Sequence, residues 1–239
     1  MLWYKAWLET RSRFLASLCG ITIFVSLFLN HIERVLSPAP MRDTYYFLFV
    51  LQHYLMGLWM LAAVLLAMGG LIRERAVGVS PLTLALPVSR GRLVGVQIAL
   101  GVFEAILLAL IPWGAMLLTT RLNGKPFPIA QAAFYSLLLV SGGLIYFALA
   151  VLISSLIEGE YTAPAVAYGL VIGSGVTLSN WDSLRPYADI WRFMGGDNHF
   201  NKSTSLLSGP LPWIGVLASL SVATMLLLAS VVVIRSREF

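Results

Sequence analysis

Two ionisable side chains stand inside long apolar runs: Glu104, within Val102–Ile111, and His53, between Gln52 and Tyr54. A charge carried into lipid is costly, so such a group is a functional candidate by default. For Glu104 that means a cation or substrate contact or a proton carrier, set against a carboxyl that joins two helices by a hydrogen bond. For His53 it means a ligand or a packing residue, and no second histidine or carboxylate stands at ligand spacing on the same run, which argues against a metal site. The chain has three histidines (His31, His53 and His199) and one cysteine, Cys19, so neither an internal disulfide nor a multi-cysteine metal site is expected. Gly173-Ser174-Gly175 lacks the rest of a serine-nucleophile motif. A phosphate-binding loop ends in Gly-Lys followed by Ser or Thr, and the only Gly-Lys pair, Gly124-Lys125, is followed by Pro126. The sequence therefore predicts no catalytic residue, no metal and no cofactor of its own, and any ATP that drives it is hydrolysed by another subunit.

The elements that must carry these residues are membrane helices. Of 239 residues 59% are hydrophobic and 11% charged, with a mean hydropathy of +0.84, against about 25% charge in a soluble domain. Six runs approach the roughly 20 residues that cross a bilayer core: Phe14–Asn30, Tyr45–Ile72, Leu93–Thr120, Ile129–Ile157, Tyr161–Leu178 and Leu211–Ile234. The expected fold is an all-α membrane protein with six transmembrane helices. Pro112 and Pro164 are expected to kink or shorten theirs. The net charge of +5 is spread without a clustered basic face, so lipid headgroups rather than nucleic acid are its partners. Lys5, Arg11, Arg13, Arg73, Arg75, Arg90, Arg92, Arg235 and Arg237 fall on one side, and Arg34, Arg42, Arg121 and Lys125 on the other once the long loop before the last span is set aside. The richer side is expected to be cytoplasmic and to hold both termini.

Three segments outside the spans have their own patterns. In residues 1–13 one helical face carries Trp3, Tyr4, Trp7 and Leu8 and the other Lys5, Glu9, Ser12 and Arg13, which predicts an interfacial amphipathic helix. Residues 73–92 form a loop with arginine-rich flanks around a short apolar helix: Ser80-Pro81 starts it, Pro87 ends it, and Ser89 caps the next. Its leucines, Leu82, Leu84 and Leu86, need a partner. Residues 179–209 are aromatic-rich and too long for a plain connection, so short helices that re-enter the membrane are expected on the external side before the last span. In the fifth span Ala163, Ala167, Gly169 and Gly173 form a small-residue stripe suited to packing within the chain or to a dimer seam.

The loop carries a resemblance. Glu74-Arg75-Ala76-Val77-Gly78 followed by Leu84-Ala85-Leu86-Pro87-Val88-Ser89-Arg90 resembles the corresponding loop of ABC-2 type transporter permeases, and the six-span layout with a basic end is similar to theirs. The resemblance implies the transmembrane subunit of a type V ABC exporter, in the cytoplasmic (inner) membrane of a bacterium. It implies a coupling helix, with Arg73, Glu74, Arg75, Gly78, Leu82, Leu84, Leu86, Pro87, Val88, Ser89, Arg90 and Arg92 seated on an ATPase. Two ATPase subunits, which bind ATP and Mg2+, and a second permease copy or sister permease complete the transporter. Substrate passes between the permeases, which makes Tyr46, His53, Tyr54, Tyr168 and Thr177 pathway candidates beside Glu104. The alternative is a secondary transporter driven by an ion gradient through Glu104, although the paired repeats usual there are not visible.

Overall fold

The computed structural model describes residues 2–36, 41–67, 90–122, 127–157, 162–179 and 189–236. Among the described residues seven α-helices follow one another: α1 (Leu2–Leu36), α2 (Met41–Ala67), α3 (Arg90–Leu122), α4 (Ile129–Leu156), α5 (Thr162–Ser179), α6 (Ile190–Gly195) and α7 (Trp213–Ser236). Between α6 and α7 lie a 3-10 turn (Asp197–His199) and two short antiparallel strands, β1 (Phe200–Asn201) and β2 (Leu206–Leu207). Five of the helices are long and apolar enough to cross a membrane, and the apolar part of α5, Thr162–Ser174, is shorter. The chain is an all-α, multi-pass membrane protein.

Side-chain contacts set the directions. Arg13 donates to the carbonyl of Leu65 at 3.4 Å, and the rings of Phe24 and Phe28 lie against Tyr54, so α1 and α2 run antiparallel. Trp113 stacks on Tyr135 with ring centroids 4.8 Å apart, and Gly101 abuts Phe147, which pairs α3 with α4 in antiparallel sense. Gly91 abuts the guanidinium of Arg235 and Val94 packs with Ile234, so α3 begins where α7 ends. The start of α1, the end of α2, the start of α3 and the end of α7 thus share one end of the bundle.

α4 is the centre, with Tyr135, Leu138, Leu139, Phe147 and Ala148 almost fully buried. In lipid, helix association rests on close packing and on interhelical hydrogen bonds more than on apolar burial. Two glycines let large rings in: Gly143 receives the indole of Trp59, and Gly101 the ring of Phe147. Trp59 is in turn fixed by its Nε1–H, which donates to the carbonyl of Ala105 at 3.0 Å. The outer faces carry Leu27, Leu118, Leu217, Met225, Leu228 and Val232, all exposed, as lipid-facing positions are.

Residues 2–13 are the first turns of α1, which is unbroken over 35 residues. Two of its polar residues meet α3, where Gln97 donates to Glu9 at 3.1 Å and Thr10 to Glu104 at 2.6 Å. Trp3, Tyr4 and Leu8 face outward. Gln97 and Glu104 are seven residues apart, two turns on one face of α3, so they offer α1 a polar track and the helix continues along it. α3 runs on through Pro112, and Pro164 falls in the first turn of α5, where its missing N–H leaves no helical bond unmade.

Candidate functional site

The segment after residue 188 is folded along one face of α4. Trp191 sits by Tyr146, Met194 by Gly142, Gly196 by Leu138, His199 by Phe134, and Leu207 by Gln131. The α4 partners step back by about one turn each time, so the segment travels roughly 22 Å along the helix axis. The route is anchored at both ends. Gln131 accepts from the Leu207 N–H at 3.0 Å and donates to its carbonyl at 2.9 Å. At the deep end Phe193 and Met194 fit where Gly215 and Gly142 leave room for side chains.

Local chemistry explains the turns of this route. The Asp189 carboxylate accepts from the Arg192 N–H at 3.1 Å and caps α6. Gly196, at φ 75°, ends α6 in the left-handed region, where the absence of a Cβ removes the strain. A six-residue helix leaves most of its last carbonyls without helical partners, and Gln52 answers one of them. Its Nε2 donates to the Met194 carbonyl at 2.8 Å, while its Oε1 accepts from Trp113 Nε1 at 3.2 Å. Gln52 is fully buried and ties α2, α3 and α6 together.

Beside Gln52 the ring of His53 bridges α2 and the 3-10 turn. Nδ1 lies 3.0 Å from the Phe49 carbonyl and Nε2 lies 3.1 Å from Asp197 Oδ1. Both neighbours are acceptors, which suits an imidazolium–carboxylate pair. Arg192 Nε stands 3.9 Å from the other Asp197 oxygen. These groups border a cleft of about 550 Å³ lined by Tyr46, Phe49, Arg192, Asp197, Phe200, Lys202 and Ser205. Phe49 and Phe200 stack at 3.8 Å and Tyr46 lies 6.4 Å from Phe200, so the lining is part aromatic and part charged.

The pathway candidates separate. Tyr46 lines the cleft and His53 borders it. Tyr54, one residue further along α2, points to α1. Tyr168 packs on the core, and the Thr177 hydroxyl donates to the Gly173 carbonyl in its own helix. Glu104 is 1% exposed, is not among the residues that line the cleft, and is held by Thr10. In the α5 stripe Ala163 and Ala167 are buried in the bundle, whereas an added Cβ at Gly169 or Gly173 would meet nothing within 4 Å. Of the loop, Arg73 to Ser89 lie outside the described residues, and Arg92 is exposed at the start of α3. Among the described residues no group of three or more His, Cys, Asp or Glu could hold a metal ion.

Sequence reasoning missed Arg192, Asp197 and Gln52 as site residues. The first two lay in a segment whose charges read as external, and the glutamine is uncharged. The adjacency of Gln52 to His53 was the only available signal. Set against known proteins, the chain matches no family model and no curated relative.

Proposed function

We propose that this chain is the membrane-spanning permease subunit of an ATP-driven exporter. The observation that carries the reading is the sequence of residues 73–92, Glu74-Arg75 through Leu84-Ala85-Leu86-Pro87-Val88-Ser89-Arg90, between the end of α2 and the start of α3. Those two helix ends lie together at the bundle end that also holds the basic end of α7 and the start of α1. A soluble ATPase docks there, on the cytoplasmic side of a bacterial inner membrane, and both termini face it. α5 is the fifth of six spans, its 18 residues reaching about 27 Å against a core of about 30 Å. The route of α6 and the hairpin along α4 supports a segment that re-enters from the external side.

Two permeases enclose the substrate path. The outward glycines Gly169 and Gly173 support α5 as a seam between them. Tyr46 and His53 support α2 as a lining helix. The gradient-driven alternative is weaker, because Glu104 is buried and engaged by Thr10 rather than facing a passage.

The test is a mild-detergent purification of the chain from its own cells, with partners identified by mass spectrometry. A soluble ATPase with a Walker motif, in equal amount and cross-linked near Arg92, is the expected partner. Leu84→Asp and Leu86→Asp are expected to release it while the permease stays inserted. Retention of the ATPase and of transport by both variants removes the docking role of the loop.

A further inference from the structure

We propose that His53 and Asp197 form an acid-closed latch, which fastens the α6–hairpin segment to α2 while the imidazole ring is protonated and releases it as the pH rises on the side of the membrane that the cleft faces. The inference is independent of the exporter reading.

The placing of the ring carries it. Nδ1 faces the Phe49 carbonyl at 3.0 Å and Nε2 faces Asp197 Oδ1 at 3.1 Å. A neutral imidazole has one N–H and one lone pair, whereas the imidazolium has two N–H groups. Only the charged ring therefore serves both oxygens, and either neutral tautomer sets a lone pair against one of them. Phe49 is four residues before His53 on α2, so its carbonyl stays with the ring. Asp197 is 144 residues away and is the partner that can part from it. Gly195 permits the close approach, since an added Cβ there would stand 3.0 Å from Nε2.

The neighbours favour opening once the ring is neutral. The second oxygen of Asp197 is ion-paired with Arg192 Nε at 3.9 Å, so the carboxylate keeps a cation from its own segment and is not drawn back to α2. Among the described residues the other titratable groups of the packed elements are Tyr46 and Lys202 on the cleft, Tyr135 on α4 and His199 in the 3-10 turn. Lysine and tyrosine as types change charge well above the range of histidine, and His199 lies against Phe134 of α4 rather than against this ring.

Protons reach the pair from one direction. The side chains of His53 and Asp197 are 38% and 26% exposed, and Asp197 lines the cleft. The hairpin lies at the start of α4, held there by Gln131, which is the bundle end opposite the start of α1. The bonds from Gln52 to Met194 and from Gln131 to Leu207 do not titrate. They hold the segment on either side of the latch, so opening is confined to the turn and hairpin between them.

The experiment uses the full chain in mild detergent over a pH series from about 5 to 9, which spans histidine titration. Nitrogen NMR of the chain labelled with 15N-histidine reads the protonation of the ring, assigned by the signals lost in His53→Gln. Trypsin cleavage after the exposed Lys202 reads opening, taken at each pH as the ratio of the parent to His53→Gln so that the protease's own pH response cancels. Two protonated ring nitrogens are expected at the acid end. The cleavage ratio should rise by about tenfold as the ring loses its proton, the scale of a hydrogen bond to a charged group. Asp197→Asn should raise cleavage at the acid end and flatten the response, with helix content unchanged by circular dichroism. Gly195→Ala, which crowds Nε2, should do the same and serves if Asp197→Asn does not fold. A ring that is neutral at the acid end, or doubly protonated to the alkaline end, overturns the proposal. So does a flat cleavage ratio across a titration that the NMR records, or a parent response retained in the variants. In liposomes with the chain facing one way, only the pH on the Lys202 side should matter, and a response to the opposite side overturns the one-sided access.

Discussion

Replacing Gln52 with leucine keeps the size of the side chain and removes its two shorter hydrogen bonds along with a long one, at 3.5 Å, to the Tyr135 carbonyl. The Met194 carbonyl then loses the donor at 2.8 Å and the Trp113 indole the acceptor at 3.2 Å, at a position with no access to water. A buried group left without its partner costs about 1–3 kcal/mol in a soluble protein. Interhelical hydrogen bonds in membranes average about 0.6 kcal/mol and reach about 1.7, because the separated helices also find partners. Two such bonds place Gln52→Leu about 1–3 kcal/mol below the parent. The loss falls on α6 in particular, since its last carbonyls have few other donors. Unfolding in mixed micelles by increasing sodium dodecyl sulfate reads the stability, and trypsin cleavage after the exposed Lys202 reads release of the hairpin. A cycle with Trp113→Phe isolates the bond between the two side chains, with an expected coupling of about 0.6–1.7 kcal/mol. Stability within about 0.3 kcal/mol of the parent, together with unchanged cleavage at Lys202, refutes the view that Gln52 holds the segment to the bundle.

Gly143→Ala puts a methyl group into the ring of Trp59, which is fully buried and fixed by its bond to Ala105, so a loss of about 1–3 kcal/mol is expected in the same unfolding assay. Gly169→Ala meets nothing within the chain and should leave monomer stability unchanged, so a fall in self-association, read by cross-linking in membranes, isolates the seam. Thr10→Val is expected to cost about 1 kcal/mol by removing the donor to Glu104. Glu104→Gln keeps an acceptor there and should leave transport and its pH response unchanged; a lost pH response would revive the gradient-driven reading.

The spans were legible in sequence because lipid imposes a simple demand: every backbone polar group must be paired within the segment, so a crossing helix appears as a long apolar run. Tyr45–Ile72, Leu93–Thr120, Ile129–Ile157 and Leu211–Ile234 accordingly correspond to α2, α3, α4 and α7 within a few residues. Amphipathicity in the first thirteen residues records that one face is polar, not what that face touches. An interfacial helix turns its charges to water, whereas α1 turns Glu9 and Thr10 to Gln97 and Glu104.

For the segment before α7, composition established that it was no ordinary loop, since aromatic residues at that density need burial. Its route could not be read there. It depends on Gly142 and Gly215 leaving space for Met194 and Phe193, and on Gln52 and Gln131 supplying hydrogen bonds from helices far away in sequence. The site has the same origin. His53 was visible as a lone titratable group in an apolar run, but its partner Asp197 is 144 residues away. Composition and periodicity report on residues close in sequence, which is enough to determine membrane helices; pairing of His53 with Asp197, and the exposure of Arg192 to a cleft, are decided only when distant helices pack.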